Sequence, residues 1–481
     1  MLKTLSILGF LGVATAAYTD DLVTSLPDMG DFNTYKLYSG YLSVKGTGKY
    51  LHYMFAESQS APSTDPLLIW FNGGPGCSSM LGYLQEHGPF VIDDGATKFH
   101  KNDYSWNKET NMLYIESPAG VGYSFCDRKD ICSFNDETSS LDNVDALLSF
   151  FAKFPEYRDH DLYISGESYA GVYVPYLAYR IDQYNEQAVK NKGYTFNLKG
   201  FLVGNGVTNW KWDGDQSYVE MALHHGLYGL ELKKEIDDNQ CNFYYEDENP
   251  EDSPPCQDIY KKFGDLTSTI NMYDIYRACF TNKPMEGLLQ SEASHGQVNI
   301  NGQTKTYRRH YTSKDYTPWF YEKQQSKIQK YLGDLPPCTY VLPVIDWINR
   351  ADVRQALHIP DMVQGWEMCA GNDTVGYWSQ PQASEWIYPL LKGKYRILFY
   401  SGDTDGAVPT RGSRQWISNM NWTIKEKWRP YFNDDNQVAG YIEVRDGLTF
   451  ATVHGVGHMA PQWKKAESYH LIFNWIKGQP I

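Results

Sequence analysis

The chain has 481 residues, 42% of them hydrophobic, so it can bury a large core as one large domain with an insertion. A formal charge of −15 disfavours nucleic acid and anionic membrane as partners. Part of that charge is local: Glu246-Asp247-Glu248 and Glu251-Asp252 flank Asn249-Pro250, which reads as a solvated loop. At the N-terminus, Lys3 precedes an apolar run from Leu5 to Val13, and Ala14-Thr15-Ala16-Ala17 follows. This is the pattern of a signal peptide over 1–17, cleaved near Ala16 or Ala17. The run falls short of the ~20 apolar residues that span a bilayer, and no later segment qualifies. A soluble mature protein in the secretory pathway is expected.

Leu67-Leu68-Ile69-Trp70-Phe71 reads as a buried strand that runs into Asn72-Gly73-Gly74-Pro75-Gly76-Cys77-Ser78-Ser79. Consecutive glycines leave backbone N–H groups unobstructed, as an oxyanion hole requires, although a Gly-Pro turn alone would look the same. A second strand is expected at 112–116. Helical spacing then appears at 142–151, with Leu141, Val144, Leu147 and Leu148 on one face. Leu162-Tyr163-Ile164-Ser165 is a third strand, and Gly166-Glu167-Ser168-Tyr169-Ala170-Gly171 follows it directly. Strand, tight turn and helix with an exposed serine at the turn is a nucleophile elbow, here with alanine in the last position of G-x-S-x-G.

Residues 198–203 form a further expected strand. From 205 to 340 the alternation lapses, and that stretch reads as an insertion capping the active site. The polar Asn299-Ile300-Asn301-Gly302-Gln303 within it reads as a turn. Strand character resumes at 396–400, followed by Ser401-Gly402-Asp403-Thr404-Asp405-Gly406. Val453-His454-Gly455-Val456-Gly457-His458-Met459-Ala460-Pro461 is a glycine-rich loop with two histidines. Serine, aspartate and histidine thus occur in α/β-hydrolase order. A serine hydroxyl needs an imidazole to accept its proton, and the imidazole needs a carboxylate to fix its tautomer. Strands alternating with helices predict an α/β-hydrolase fold: a mostly parallel central sheet with flanking helices, built from 18–204 and 341–481, with 205–340 as the cap.

Five motifs taken together narrow the reading. Trp70 to Ser79, Ile115-Glu116-Ser117-Pro118-Ala119-Gly120-Val121-Gly122-Tyr123-Ser124 and Gly166 to Gly171 occur in the order in which serine carboxypeptidases carry them. Gly402-Asp403-Thr404-Asp405 and Gly457-His458-Met459-Ala460-Pro461 complete the set. The chain resembles that family, which includes carboxypeptidase Y and cathepsin A, over nearly its whole mature length, and Ala170 is normal for it. The resemblance implies removal of C-terminal residues from peptides and proteins through an acyl-enzyme, with no metal or organic cofactor.

By that resemblance Ser168 is the nucleophile, His458 the general base and Asp405 the triad carboxylate. Asp403 and His454 are the local rivals and are read as loop-structuring. The Gly74 and Tyr169 N–H groups form the oxyanion hole. Asn72, the Gly73 N–H, Glu86 and Glu167 bind the substrate's terminal carboxylate. Carboxyl groups in close contact share protons and at least one pKa rises, so an acidic optimum is expected.

Eight cysteines in a secreted chain suggest disulfides, and eight allow 105 pairings. The resemblance suggests Cys77 with Cys369, Cys241 with Cys256 and Cys279 with Cys338, leaving Cys126 and Cys132 as a local pair. A zinc site is the rival reading, but no Cys-x-x-Cys pair is present. Asn372 and Asn421 head glycosylation sequons. Substrates are expected to be peptides or proteins with a free C-terminus, in the extracellular medium, lysosome or vacuole. Some members of the family form homodimers, so the resemblance keeps a homodimer as an alternative to a monomer. Other branches of the family transfer acyl groups to alcohols, or protect other lysosomal enzymes. Intact carboxylate-binding residues favour the peptidase, and a general esterase or lipase would have no use for Glu86 and Glu167.

Overall fold

The computed structural model describes residues 18–30, 32–244, 253–279, 295–300, 303–308, 338–370 and 375–481. The expected signal peptide, the acidic run at 246–252 and Asn372 lie outside them.

Eleven strands carry the fold: β1 (Leu22–Val23), β2 (Leu37–Val44), β3 (Lys49–Ala56), β4 (Leu67–Phe71), β5 (Asn111–Ile115), β6 (Leu162–Glu167), β7 (Leu198–Gly204), β8 (Arg396–Gly402), β9 (Ile424–Phe432), β10 (Val438–Arg445) and β11 (Leu448–Val453). They lie in the order β1-β2-β3-β5-β4-β6-β7-β8-β11-β10-β9, and the short strand Phe125–Cys126 pairs with β3 to complete a 12-stranded sheet. Pairing is parallel from β5 through β4, β6, β7 and β8 to β11. Both margins are antiparallel. The five strands expected from sequence are therefore consecutive neighbours in the parallel centre. The sheet as a whole is mixed, because meanders at 22–56 and 424–453 extend it on either side.

The central strands read as unbroken apolar runs because both of their faces are covered. Ile69, Phe71, Ile164, Phe201, Val203, Ile397 and Phe399 join one core cluster, and their alternates Leu68, Trp70, Tyr163, Leu202, Leu398 and Tyr400 join another. Against the first face lie α1 (Asp136–Lys153) and α2 (Ala170–Asn191), through residues such as Val144, Phe150, Leu177 and Ile181. The C-terminal helix Lys465–Lys477 packs Leu471, Ile472 and Trp475 into the second. Burying each such side chain is worth about 1.5–3 kcal/mol.

Helix α1 starts earlier than its apolar spacing suggests. Asn135 caps it by accepting from Thr138 N at 2.8 Å, and Thr138 Oγ1 accepts from Asn135 N at 2.9 Å. The buried stripe runs through Ser140, Asn143, Val144, Leu147, Phe150 and Phe151. Leu141 falls off that stripe and is 52% exposed, so it does not share the buried face with Val144 and Leu147.

Within 205–340, helices Asp215–His224, Leu230–Asp238 and Pro254–Thr267 gather Tyr218, Leu232, Ile236, Phe243, Ile259 and Phe263 into a small core of their own. Cys241–Cys256 lies inside it. Farther on, His295–Ile300 and Gln303–Arg308 pair antiparallel as a hairpin, where the sequence reads as a turn. The remaining disulfides are Cys77–Cys369, Cys126–Cys132 and Cys279–Cys338. Among the described residues no helix is long and apolar enough to cross a membrane.

Candidate active site

Strand β6 ends at Glu167, and Ser168 follows with φ of +64°, a left-handed conformation that costs a non-glycine residue roughly 1–3 kcal/mol. The surroundings over-determine it. Ser168 N donates to Gly204 O at 3.1 Å, and its carbonyl accepts from Gly171 N at 2.9 Å and Val207 N at 3.0 Å. A Cβ on Gly166 would sit 2.4 Å from Phe71 O and 2.6 Å from the Ala170 methyl. Alanine is tolerated at 170 because 166 has no side chain. The close approach that demands glycine falls one residue later, where a Cβ on Gly171 would meet Val207 O at 2.4 Å.

The turn after β4 lies against this elbow. A Cβ on Gly73 would reach 2.3 Å from Tyr169 N and 2.8 Å from Ser168 Cβ, so only glycine brings the backbone that close. Gly74 has φ of +112°. The turn is held from several sides. Gly76 N donates to Tyr173 Oη at 3.1 Å, Ser78 N to Met368 O at 2.8 Å, and Ala370 N to Gly76 O at 2.9 Å, beside Cys77–Cys369. Beneath it, buried Glu116 accepts from Ser78 Oγ, from Trp366 Nε1 at 2.9 Å, from Tyr123 N at 2.9 Å and from His52 Nδ1 at 2.8 Å. Gly122 must be glycine, since a Cβ there would meet Glu116 Oε1 at 1.8 Å. The motif from Ile115 to Ser124 thus acts as a buried foundation for the Gly73–Gly74 turn, a role its spacing does not reveal.

Asp405 and His458 lie on loops beyond β8 and β11. His458 Nδ1–H donates to Asp405 Oδ2 at 2.7 Å, with side-chain exposures of 3% and 0%. The carboxylate is acceptor-only, which fixes the tautomer and leaves Nε2 available, buried and without a protein partner. Asp405 Oδ1 accepts from Ala407 N at 2.8 Å. Its Oδ2 also accepts from Asn205 Nδ2 at 2.9 Å, while Asn205 Oδ1 accepts from Gly402 N at 3.0 Å. Asn205 follows β7, at the first residue of the stretch read as the cap, and sequence reasoning gave it no role. The only local signal is a polar residue between Gly204 and Gly206. The rivals Asp403 and His454 pair with each other at 2.7 Å, and the His454 side chain is 59% exposed.

The fourth component is a buried acid cluster. Asn72 Nδ2 donates to Glu86 Oε1 at 2.9 Å and to Glu167 Oε1 at 3.0 Å. Its own carbonyl accepts from Trp70 Nε1 at 2.8 Å and Gly82 N at 3.0 Å, which fixes the amide orientation. Glu86 is 1% exposed and Glu167 4%, and each has an Oε2 with no protein partner. Burial pushes Glu86 up to about 7, and Asn72 opposes that rise. Burial and then the Glu86 charge raise Glu167 well above the usual carboxylate range. Both carboxyls accept from the one Asn72 amide, and they titrate as a pair. His458 is close enough to act electrostatically on Glu86, and Asp405 on Glu167, so the cluster adjoins the Asp405–His458 pair.

These raised carboxyls have a consequence for stability. Burial also lifts Asp136 to about 6 and Asp213 to about 8. A carboxyl with a higher pKa in the folded state binds protons more tightly there than in the unfolded chain. Its contribution is full below the unfolded pKa and is lost as pH rises through the folded value. Thermal unfolding is therefore expected to shift down by about 5 °C between about pH 5 and pH 8. A Tm that rose or stayed level over that window would contradict it.

The description "Serine carboxypeptidase" belongs to a family model that matches residues 27–478. Mouse (Mus musculus) lysosomal protective protein is 34% identical over 477 residues, covering 97% of this chain and 95% of that protein. Serine carboxypeptidase-like 35 of Arabidopsis thaliana is 36% identical over 471 residues, covering 96% and 92%. Among solved structures, a prohormone-processing carboxypeptidase from Saccharomyces cerevisiae superposes with a TM-score of 0.70 at 21% identity, covering 96% of this chain and 97% of that one.

Proposed function

Because the chain belongs to the serine carboxypeptidase family, we propose that it cleaves the last peptide bond of its substrates with Ser168 as nucleophile, His458 as base and Asp405 as the carboxylate that orients it. The observation that supports this reading is the 2.7 Å His458–Asp405 bond beside a buried Asn72–Glu86–Glu167 cluster whose Glu167 immediately precedes Ser168 at the elbow. His458 Nε2 takes the Ser168 proton and returns it to the leaving amine. The Gly74 and Tyr169 N–H groups receive the oxyanion. The substrate's terminal carboxylate sits on Asn72, the Gly73 N–H and protonated Glu86 or Glu167. Such an anchor selects exopeptidase over endopeptidase cleavage, and it works while at least one carboxyl holds its proton. That supports cleavage at acidic pH, in a lysosome, a vacuole or an acidified medium. The stretch 205–340 serves as the cap. A secretory-pathway protein accords with the relatives and the four disulfides.

The test is release of the C-terminal residue from an N-blocked dipeptide beside its C-terminal amide. Preference for the free acid at low pH is the expected result, and equal rates on acid and amide at every pH would favour a general amidase or esterase.

Asn205 gives an independent check of the Asp405 assignment. Asn205→Ala removes a hydrogen bond to a charged group, worth about 1.5–3 kcal/mol. A fall in kcat of about 10–100-fold with little change in KM is expected. Unchanged kcat would show that the Asn205 bond does not help to hold Asp405 in place.

A further inference from the structure

Pairing between β8 and β11 ends at Gly402 and Val453, so Asp405 and His458 both project beyond the last rung of the sheet. A histidine and an aspartate on two such loops keep their 2.7 Å contact only if something outside the sheet holds the loops together. The described contacts between the loops themselves are modest: Asp403 N to Val453 O at 3.2 Å, Thr404 N to Val456 O at 3.0 Å, and the exposed Asp403–His454 pair, with Gly455 N also on Asp403.

A segment from the middle of the chain supplies the rest. Asp274 is 3% exposed, and its two carboxylate oxygens go to different loops. Oδ1 accepts from Thr404 Oγ1 at 2.9 Å, and Oδ2 accepts from Gly457 N at 3.1 Å. Thr404 immediately precedes Asp405, and Gly457 immediately precedes His458. The neighbouring backbone repeats the pattern. Tyr273 O accepts from His458 N at 2.6 Å, Met272 O accepts from Gly406 N at 2.8 Å, and Ile275 N donates to Thr404 O at 3.2 Å. The fit is tight: a Cβ on Gly457 would lie 1.9 Å from Tyr273 O and 2.5 Å from Asp274 Cβ. The segment is itself anchored, since Arg277 donates to Asp94 at 3.0 Å and lies over the Trp463 ring, and Cys279 bonds to Cys338.

We propose that Asp274 is a positioning residue that clamps the Asp405 and His458 loops in register, so that the insertion is a working part of the catalytic apparatus as well as a cover. The proposal rests on the triad reading above. It predicts an effect on the chemical step through the Asp405–His458 geometry, with substrate anchoring on the Asn72–Glu86–Glu167 cluster, to which Asp274 makes no hydrogen bond, left as it was.

Steady-state kinetics of the full-length protein on an N-blocked dipeptide at fixed acidic pH tests this, with enzyme concentration set by the end point of titration with a sulfonyl fluoride. Asp274→Ala is expected to lower kcat by about 30–300-fold with KM within about threefold of wild type. Asp274→Asn should stay within about fivefold. Its carbonyl can still accept from Gly457 N and its amide can donate to Thr404 Oγ1, at the cost of the bond that Oδ1 accepts from Tyr276 N at 3.1 Å within its own segment, which ties neither catalytic loop. Thr404→Val should lose about tenfold and Thr404→Ser about twofold or less, because serine keeps the hydroxyl. The threonine pair leaves the carboxylate in place and carries the test if Asp274→Ala does not fold. The proposal is overturned if Asp274→Ala keeps more than half of the wild-type kcat, or if Asn is as damaging as Ala. It is also overturned if the losses track a smaller fraction of titratable enzyme, or if Thr404→Val and Thr404→Ser are alike. Ser168→Ala run beside them separates the two readings, since activity surviving in it would remove the triad itself.

Discussion

Ser168→Ala is expected to lower kcat/KM for an N-blocked dipeptide by roughly 10⁴–10⁶-fold while leaving Tm within about 2 °C of wild type. The size follows from the division of labour at the site. His458 and Asp405 exist to activate one hydroxyl, and the acyl-enzyme cannot form without it. Stability is spared because Ser168 is only half-buried and the packing around it is made by its neighbours. Gly166 and Gly171 take the close contacts, and the Ser168 backbone bonds to Gly204, Gly171 and Val207 do not involve the hydroxyl. Alanine at φ of +64° meets the same backbone strain as serine, so the substitution isolates the oxygen. Hydrolysis measured against both dipeptide acid and dipeptide amide, with Tm as the folding control, is sufficient. Residual activity within a hundredfold of wild type on both substrates would rule out Ser168 as the nucleophile.

The second large effect concerns pH and the choice between acid and amide. With Glu86 pushed up to about 7, the cluster holds a proton below that value and donates it to the substrate carboxylate. Above it, Glu86 ionises and its charge faces the substrate carboxylate, while the Glu167 carboxyl, raised by burial and by that same charge, keeps its proton longer. The ratio of kcat/KM for the dipeptide acid to that for its amide should therefore be level at low pH. It should then fall by up to about tenfold per unit above about pH 7. Taking the ratio cancels any group that acts on both substrates alike, His458 included. Glu86→Gln replaces a titrating donor with a permanent one. Its ratio should stay nearly level from pH 5 to pH 8, exceeding wild type at pH 8 by about tenfold. If Glu86→Gln and Glu167→Gln both kept the wild-type fall, the cluster would not be the anchor for the carboxylate.

Much of this site can be read before any fold is known, and the readable part has a common physical basis. Ser168, Asp405 and His458 each lie just past a strand at the parallel centre or beside it, where strand-to-loop turns are short and rich in glycine. The five central strands are legible because burial on both faces makes them continuous apolar runs. The antiparallel margins are not, since strands such as Ile424–Phe432 mix exposed charge with half-buried rings and carry no clean period. Leu141 shows the limit for helices. Its spacing suits an apolar face, but the cap at Asn135 and the packing of α1 against α2 and β2 set which stripe is buried.

Local sequence by itself determined the elbow, the glycine turn and the types of the reacting groups, because those depend on backbone conformations that only a few residues tolerate. The burial of Glu86, the Asn72 amide that joins it to Glu167 and the Glu116 foundation were decided by tertiary structure. So were the bonds from Asn205 to Asp405 and from Asp274 to both catalytic loops. Asp274 and Gly457 are brought within 3.1 Å although they are far apart along the chain, as are Asn205 and Asp405. A single buried polar residue carries no periodic signal, and its meaning comes only from the partner that folding brings to it.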